Sequence, residues 1–190
     1  MNFARLRLAA RFACPAVAAE IALIRHAESS WNVEGRWQGH GDPALSARGR
    51  QQAEALAREL AGLRLELVIT SDLVRAIETG APIARALGIE ASRCPGLREL
   101  DVGSWTGLTR AEIAARDAEA LARFESGADG AAAGGGETRS ALARRAREAF
   151  ADLSRRSAGR RIAVVTHQGV IRELAGRELG NAEWTLMRSS

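Results

Sequence analysis

Short apolar runs alternate with amphipathic segments along most of the chain. Three runs have the length and composition of buried strands: residues 21–24, 65–70 and 162–166. Five segments carry apolar residues at helical spacing: residues 46–61, a segment that begins after residue 72, residues 110–124, residues 138–154, and a segment that follows residue 167 and ends near residue 179. Because strands and helices alternate, the pattern predicts an α/β protein, a three-layer α/β/α sandwich with a mostly parallel central sheet.

Glycine, proline and low-complexity stretches interrupt this pattern. Residues 25–45 are polar and rich in glycine, which predicts a loop, and residues 128–136 are nearly all Gly and Ala, which predicts a mobile loop. Pro82 is expected to kink or restart its helix because proline removes a backbone donor. Residues 184–187 either form a last strand or leave an edge of the sheet uncovered. We find no internal repeat and no clear domain boundary beyond residue 20.

Charged and polar side chains follow the predicted strands at their carboxyl ends. The first strand delivers Arg25 and His26, and the third delivers His167. The helix after the second strand carries Arg75 in its first turn. In parallel sheets, ligands bind beyond the carboxyl ends of the strands. The sequence therefore predicts that two arginines and two of the three histidines meet in one pocket.

These residue types fit a phosphoryl group. A guanidinium donates two parallel hydrogen bonds to phosphate oxygens, and two arginines can neutralise the group without magnesium. A neutral imidazole in line with the phosphorus can act as the nucleophile. The loop at residues 97–107 supplies two carboxylates, Glu99 and Asp101, and a carboxyl beside a phosphate dianion favours its protonated form. A general acid is therefore available for the leaving oxygen.

Five motifs in order resemble those of the histidine phosphatase superfamily, also called phosphoglycerate mutase-like. They are RHAES at 25–29 with GRWQG at 35–39, SDLVRA at 71–76 with Thr79, ELDVGSWTG at 99–107, GGET at 135–138 and VTHQG at 165–169. The resemblance covers about residues 20–180. It implies the phosphoglycerate mutase-like form of the α/β/α sandwich.

The resemblance also implies roles for the matched positions. His26 is expected to be the nucleophile that forms a phosphohistidine, and Glu99 the proton donor and later the base that activates water. The residues expected to bind the phosphoryl group are Arg25, Arg75 and His167, assisted by Asn32 and the backbone near Gln168. The residues expected to contact the rest of the substrate are Gln38 and Gly39. No metal and no cofactor are implied.

Several positions keep an alternative interpretation. Glu99 competes with Asp101 for the acid role and could instead pair with Arg98. His40, in the first loop, is expected to be exposed or near the substrate and not catalytic. Ala27 stands where members of the superfamily most often have glycine, and alanine adopts positive φ only at an energetic cost.

The activity predicted is metal-independent hydrolysis of phosphomonoesters through a phosphohistidine. A cofactor-dependent phosphoglycerate mutase is the enzymatic alternative, but the segment between Gly107 and Glu137 is short and rich in small residues, which favours an open site and hydrolysis. A non-catalytic module that binds phosphorylated ligands is the other alternative. Sugar phosphates, nucleotides, a ribazole phosphate and phosphoproteins all stay open as substrates, with small phosphate esters favoured.

The composition of the chain indicates which kinds of partner it can bind. The net charge is +4 and all 27 basic residues are arginine. Because no aromatic residues interleave with the arginine-rich stretches, we expect a solvated helix face and no nucleic acid. No apolar run is long enough to span a bilayer. A monomer or a homodimer is expected.

The first 19 residues form a separate extension ahead of a domain predicted at 20–190. The extension contains Arg5, Arg7 and Arg11 and no acidic residue, so it could be a targeting segment or an amphipathic extension. Two cysteines, Cys14 and Cys94, form no disulfide framework, which fits a reducing compartment. We expect a cytoplasmic protein, or an exported or organellar one if residues 1–19 are a targeting segment.

Overall fold

The computed structural model describes residues 18–128 and 130–188, and it is built on one five-stranded sheet. The strands are β1 (Glu20–Arg25), β2 (Leu67–Thr70), β3 (Ser92–Arg93), β4 (Arg161–Thr166) and β5 (Trp184–Arg188). Their order across the sheet is β3-β2-β4-β1-β5, and only the pairing of β1 with β5 is antiparallel. The three predicted strands and the last strand are confirmed. The two-residue β3 was not predicted.

Six α-helices of the described residues connect and cover the strands. They are α1 (Ser30–Val33), α2 (Ala47–Leu60), α3 (Val74–Leu87), α4 (Arg110–Glu125), α5 (Arg139–Arg156) and α6 (Gln168–Ala175). Alternate side chains of β1 and β4 point to opposite faces of the sheet, as the pleat requires. One face packs on α5 and α6 through Ile21, Leu23, Ile162 and Val164. The other packs on α2 and α3 through Ala22, Ile24, Ala163 and Val165. The predicted three-layer sandwich is confirmed.

Helix α3 runs without a break through Pro82, so the predicted restart of the helix is wrong. The residues around the proline are buried against α2 and the sheet, including Ile83 and Ala84. This packing outweighs the loss of one backbone hydrogen bond. Helix α6 ends at Ala175 and not near residue 179, because Gly176 caps it in the left-handed conformation with φ 63°.

The two predicted loops contain more structure than the sequence indicated. In the first, Ser29 and Asn32 form a reciprocal capping box that starts α1. In the second, the half from residue 131 onward packs closely on residues 101–105, and Ala133 is fully buried. A Cβ at Gly134 would overlap the carbonyl of Val102, so glycine is what permits this contact between backbones. The interpretation of this half as a mobile loop is therefore wrong.

Two further predictions concern a membrane-spanning segment and the N-terminal extension. The described residues contain no helix long and apolar enough to cross a membrane. The predicted N-terminal extension lies outside the described residues, apart from residues 18 and 19.

Candidate active site

A cavity of about 260 Å³ lies beyond the carboxyl ends of β1 and β4. Arg25, His26, Arg75 and Glu99 line it. The ring of His167 lies beside that of His26, with centroids 5.2 Å apart. The structure thus brings together the five side chains that were predicted as catalytic.

The ring of His26 is buried and held in one tautomer. Its Nδ1 lies 2.7 Å from the carbonyl oxygen of Ala27, and since a carbonyl can only accept, Nδ1 carries the proton. Nε2 is left with its lone pair. Burial lowers the pKa of His26 to about 3, assisted by the positive charges of Arg75 and then Arg25. The imidazole is therefore neutral at physiological pH, as a nucleophile requires.

Arg75 is fully buried and is held from behind by the first loop. Its Nη1 and Nη2 donate to the carbonyl oxygens of Gly41 and Gly39 at 2.7 and 2.9 Å. Burial lowers its pKa to about 10, so it stays positively charged at neutral pH. Arg25 donates from Nη1 to the carbonyl oxygen of Leu179 at 2.6 Å. Two guanidinium groups are thus fixed at the cavity by bonds to backbone.

Buried polar atoms without a partner concentrate here. Among the described residues, six buried side-chain nitrogen or oxygen atoms have no hydrogen-bond partner, and four of them belong to the site: Nε of Arg25, Nε of Arg75, and both ring nitrogens of His167. Burial, followed by the charge of Arg75, lowers the pKa of His167 well below its ordinary value. A neutral imidazole donates from one nitrogen only, so three of these four atoms are donors. A tetrahedral anion would supply the acceptors that these three donors lack.

Glu99 faces the cavity with its carboxylate held at both oxygens. Oε1 accepts from the backbone N–H of Leu100 at 2.8 Å and Oε2 from that of Gly169 at 3.1 Å. Asp101 instead accepts from the N–H of Gly103 and does not line the cavity. Arg98 pairs with Asp72 through two bonds of 2.6 and 2.7 Å, not with Glu99. The geometry favours Glu99 over its competitor as the proton donor.

The predicted substrate-binding residues divide into two groups. Gln38, Gly39 and Gln168 line the cavity. Asn32 does not: its Oδ1 accepts from the N–H and the hydroxyl of Ser29, both at 3.0 Å. Asn32 therefore shapes the loop around the site.

Ala27 occupies its position without the backbone strain that the sequence suggested. The non-glycine residues with positive φ in the described part of the chain are Arg64 and Ala182. Ala27 is fully buried, and its N–H donates to the hydroxyl of Thr79 at 2.9 Å. The glycine usual at this position is not required for its backbone conformation.

Several residues to which the sequence gave no role support the site. Thr79 ties Ala27 to α3 by accepting from its N–H and donating to the carbonyl of Arg75 at 2.7 Å. Asn181 donates to the carbonyl oxygen of His26 at 3.1 Å. Arg145 donates to the carbonyl oxygen of Glu99. Thr79 belongs to the second motif but had no predicted role, and no local motif marked Asn181. The GGET segment gave a signal for the partner of Arg145, since Glu137 pairs with it at 2.7 Å.

The rest of the cavity has a different character. Its wall is apolar: Trp37, Leu100, Val102, Phe124 and Leu142. Three charged residues accompany this wall: Arg139, Arg172 and Glu173. The cavity therefore combines a cationic end with an apolar end. No group of three or more His, Cys, Asp or Glu side chains suited to a metal ion occurs in residues 18–128 and 130–188.

Residues 21–189 match the sequence model described as histidine phosphatase superfamily (branch 1). The chain belongs to this superfamily. Two relatives of this histidine phosphatase come from Arabidopsis thaliana. Phosphoglycerate mutase-like protein 4 is 41% identical over 162 residues, which are 84% of this chain and 70% of that protein. Metal-independent phosphoserine phosphatase is 40% identical over 158 residues, 82% and 66% of the two chains.

Solved structures agree with the sequence relatives. The structure of a mycobacterial glucosyl-3-phosphoglycerate phosphatase in complex with VO3 is similar to this histidine phosphatase with a TM-score of 0.79 and 32% sequence identity. The match covers 88% of this chain and 90% of that one.

Proposed function

We propose that this histidine phosphatase hydrolyses small phosphate monoesters, without a metal ion, through a phosphohistidine at Nε2 of His26. The observation that carries the proposal is the convergence of unpartnered buried donors on a neutral imidazole whose Nε2 is free. Arg25, Arg75 and His167 surround the position that a phosphoryl group would take in front of His26. Phosphoryl transfer is catalysed mainly by such positioning and charge stabilisation.

In the first step, the Nε2 lone pair of His26 attacks phosphorus as the ester P–O bond breaks. Glu99 in its protonated form gives its proton to the leaving oxygen, and the alcohol departs. The Nδ1–H of His26 stays bonded to the carbonyl of Ala27, which stabilises the positive charge that develops on the ring. The two arginines neutralise the oxygens of the phosphoryl group.

In the second step, water hydrolyses the intermediate. Glu99, now a carboxylate, accepts a proton from a water molecule, whose oxygen attacks phosphorus. The N–P bond breaks, its electron pair returns to Nε2 of His26, and inorganic phosphate leaves. Both steps use the same carboxyl group in opposite directions, so the position of Glu99 controls both.

The size of the cavity supports a small substrate. Pockets for drug-sized ligands typically measure about 300–1,000 Å³, and this cavity measures about 260 Å³. A phosphate ester of a short alcohol suits this volume better than a phosphoprotein. Within the proposal, the enzyme acts alone or as a homodimer in the cytoplasm.

Trapping of the intermediate tests the proposal. The enzyme is mixed with ³²P-labelled phosphate ester in the presence of a chelator, quenched, and the label is tested for acid lability. We expect an acid-labile label in the wild type and in His167→Asn, and none in His26→Asn. Label that persists in His26→Asn would refute the assignment of the nucleophile. Phosphate binding without any turnover would instead favour a binding module.

The same experiment separates hydrolysis from the mutase alternative. If water is the acceptor, label leaves the enzyme as inorganic phosphate at the same rate with and without added phosphoglycerate. A mutase would transfer the label to phosphoglycerate and yield a bisphosphate. We expect inorganic phosphate as the product.

A further inference from the structure

The chain leaves the sheet at the proposed nucleophile. Strand β1 ends at Arg25, and the N–H of His26 makes one more ladder bond, to the carbonyl oxygen of Thr166 at 2.9 Å. His26 and Ala27 are both buried, and buried backbone N–H and C=O groups are costly without a partner. The partners of the next two peptide groups therefore determine where the ring of His26 points.

The peptide group between His26 and Ala27 is bonded on both sides. Its carbonyl oxygen accepts from Nδ2 of Asn181 at 3.1 Å and from the N–H of Ala182 at 3.3 Å. Its N–H donates to the hydroxyl oxygen of Thr79 at 2.9 Å. These bonds oppose rotation of the peptide plane, in which ψ of His26 and φ of Ala27 would change together.

The next peptide group carries the acceptor that sets the tautomer of His26. The carbonyl oxygen of Ala27 accepts from Nδ1 of His26 at 2.7 Å, and the N–H of Glu28 donates to Oε1 of Gln52 at 2.9 Å. Since the two peptide groups share the Cα of Ala27, rotation of the first turns the second. Nε2 of His26 then moves off the line to phosphorus, and a misplacement of about 1 Å can reduce the rate by about 100-fold.

The side-chain amide of Asn181 has its orientation fixed by its two acceptors. Nδ2 lies 3.1 Å from the carbonyl oxygen of His26, which can only accept, and 3.3 Å from Oδ1 of Asn32. That Oδ1 is itself identified by the backbone N–H of Ser29, which donates to it at 3.0 Å. The NH2 group of Asn181 therefore faces the carbonyl of the nucleophile, which would repel an acceptor placed there.

A tight turn brings Asn181 to this position. Residues 180–183 form a β-turn that is closed by a bond from the N–H of Glu183 to the carbonyl oxygen of Gly180 at 3.2 Å. Ala182, the third residue, has a φ of 60°, where glycine is usual. A non-glycine residue keeps such a conformation only where its surroundings hold it. Here the turn directs the N–H of Ala182 and the amide of Asn181 to one acceptor.

We propose that Asn181 is a positioning residue for the nucleophile, which acts through the peptide group between His26 and Ala27. The proposal rests on the proposed function. Asn181 does not line the cavity, so its replacement removes no contact with a phosphate ester. Its loss frees the peptide plane and displaces Nε2 of His26, which slows the attack on phosphorus.

The arginines that face the phosphoryl group are anchored independently of the Asn181 side chain. Arg25 donates to the carbonyl oxygen of Leu179 at 2.6 Å, and the N–H of Leu179 is held by Oε1 of Gln168 at 3.0 Å. Arg75 is held by backbone carbonyls of the first loop. Replacement of Asn181 should therefore slow phosphoryl transfer and leave the binding of phosphate unchanged.

Replacement of Asn181 by aspartate and by alanine tests the proposal. Aspartate keeps the shape of the side chain but has no donor at neutral pH, and the carbonyl oxygen of His26 repels its oxygens. We expect kcat/KM to fall by about 100-fold in Asn181→Asp and by about five- to tenfold in Asn181→Ala, where one uncharged hydrogen bond is lost. A side chain that only filled space would give the opposite order.

Two further measurements separate positioning from damage to the fold. The Kd of inorganic phosphate should stay within about twofold of the wild-type value in both variants. The ¹⁵N spectrum of the histidine rings should show His26 protonated at Nδ1 in the wild type and a mixture of tautomers in Asn181→Asp. Arg177→Gln is the matched control, since Arg177 lies in the same connection between α6 and β5 with an exposed side chain. It should match the wild type in every measurement.

A double variant tests whether the two sides of the peptide group act together. Thr79→Val removes the hydroxyl that accepts from the N–H of Ala27. Because Thr79 and Asn181 hold the same peptide group, the variant that combines Thr79→Val with Asn181→Ala should lose less activity than the product of the two single losses. Residues that acted on separate features would give the full product.

The outcomes distinguish this proposal from the proposed function. The positioning role is overturned if Asn181→Asp is as active as the wild type, if Asn181→Ala loses more activity than Asn181→Asp, if phosphate binding weakens as much as kcat/KM falls, or if the tautomer of His26 is unchanged. Each of these results is compatible with a phosphohistidine at His26. The melting temperature shows whether each variant is folded, and if Asn181→Asp is not, the phosphate and ¹⁵N measurements on Asn181→Ala decide. Absence of the phosphoenzyme in the wild type would instead overturn the proposed function.

Discussion

Replacement of Arg145 by glutamine is expected to slow the hydrolysis of esters with poor leaving groups far more than that of aryl phosphates. Arg145 sits on α5 and donates to the carbonyl oxygens of Gly96, Arg98 and Glu99 at 3.0, 2.9 and 3.2 Å. Its other bonds go to the two carboxylate oxygens of Glu137, at 3.1 and 2.7 Å. One guanidinium thus holds the backbone that carries the proposed acid.

Arg145 does not line the cavity, so its replacement removes no contact with the substrate. The expected loss of activity comes instead from a displacement of Glu99. A displacement of about 1 Å in a catalytic group can reduce the rate by about 100-fold, and general acid catalysis contributes about 10²–10⁴-fold. We expect kcat/KM for an alkyl phosphate to fall by about 100-fold in Arg145→Gln. For p-nitrophenyl phosphate the fall should be less than about fivefold, because its leaving group departs without protonation.

The assay is the ratio of kcat/KM for the two esters, because kcat/KM reports the transfer to His26 and the loss of the alcohol. Arg144→Gln is the matched control, since Arg144 neighbours Arg145 on the same helix and is exposed. Its ratio should equal that of the wild type. An equal fall for both esters in Arg145→Gln would refute the positioning role and indicate a general effect on the fold.

Three further predictions concern the same site. A Cβ at Gly169 would overlap Oε1 of Glu99, so Gly169→Ala should raise the same ratio of aryl to alkyl phosphate turnover by at least about tenfold. The pKa of His26 is about 3 when folded and about 6.5 when unfolded, so the unfolded state binds more protons between these values and stability falls on acidification through that window. Denaturant titrations at several pH values give the free energy of unfolding as a function of pH. Near pH 5, this free energy should rise with pH less steeply in His26→Gln than in the wild type, by about 1.4 kcal/mol per pH unit. Inorganic phosphate at 100 times its Kd should raise the melting temperature by about 5–10 °C, and Arg75→Met should lose this shift; a shift retained in the variant would contradict the role of Arg75.

The sequence predicted the residues at the ends of strands because local patterns determine them. A run of apolar residues that stops at a charged pair predicts both a buried strand and the place where it opens to solvent, which is how Arg25, His26 and His167 were found. The parallel arrangement then requires these ends to lie at one edge of the sheet. The fold class and the cationic end of the cavity were predictable for this reason.

Contacts between distant segments left no local pattern. Arg25 is held by the carbonyl of Leu179, 154 residues away, and Asn181 reaches His26 across 155 residues. A backbone carbonyl carries no sequence signal at all. The continuity of α3 through Pro82 was likewise decided by packing on neighbouring elements, which a local rule for proline does not include.

The buried charges of this site reduce the stability of the fold through the same residues that we propose for catalysis. Buried donors without partners each cost about 1–3 kcal/mol, and three lie in this site: Nε of Arg25, Nε of Arg75 and the protonated ring nitrogen of His167. Arg75 is fully buried, with two bonds to backbone carbonyls and, within residues 18–128 and 130–188, none to a carboxylate. A phosphoryl group in front of His26 compensates these donors all at once, and it does so most fully in the transition state, where its oxygens carry the most diffuse charge. The free energy withheld from the folded protein is therefore released on binding, which is how the arginines and His167 can favour phosphoryl transfer.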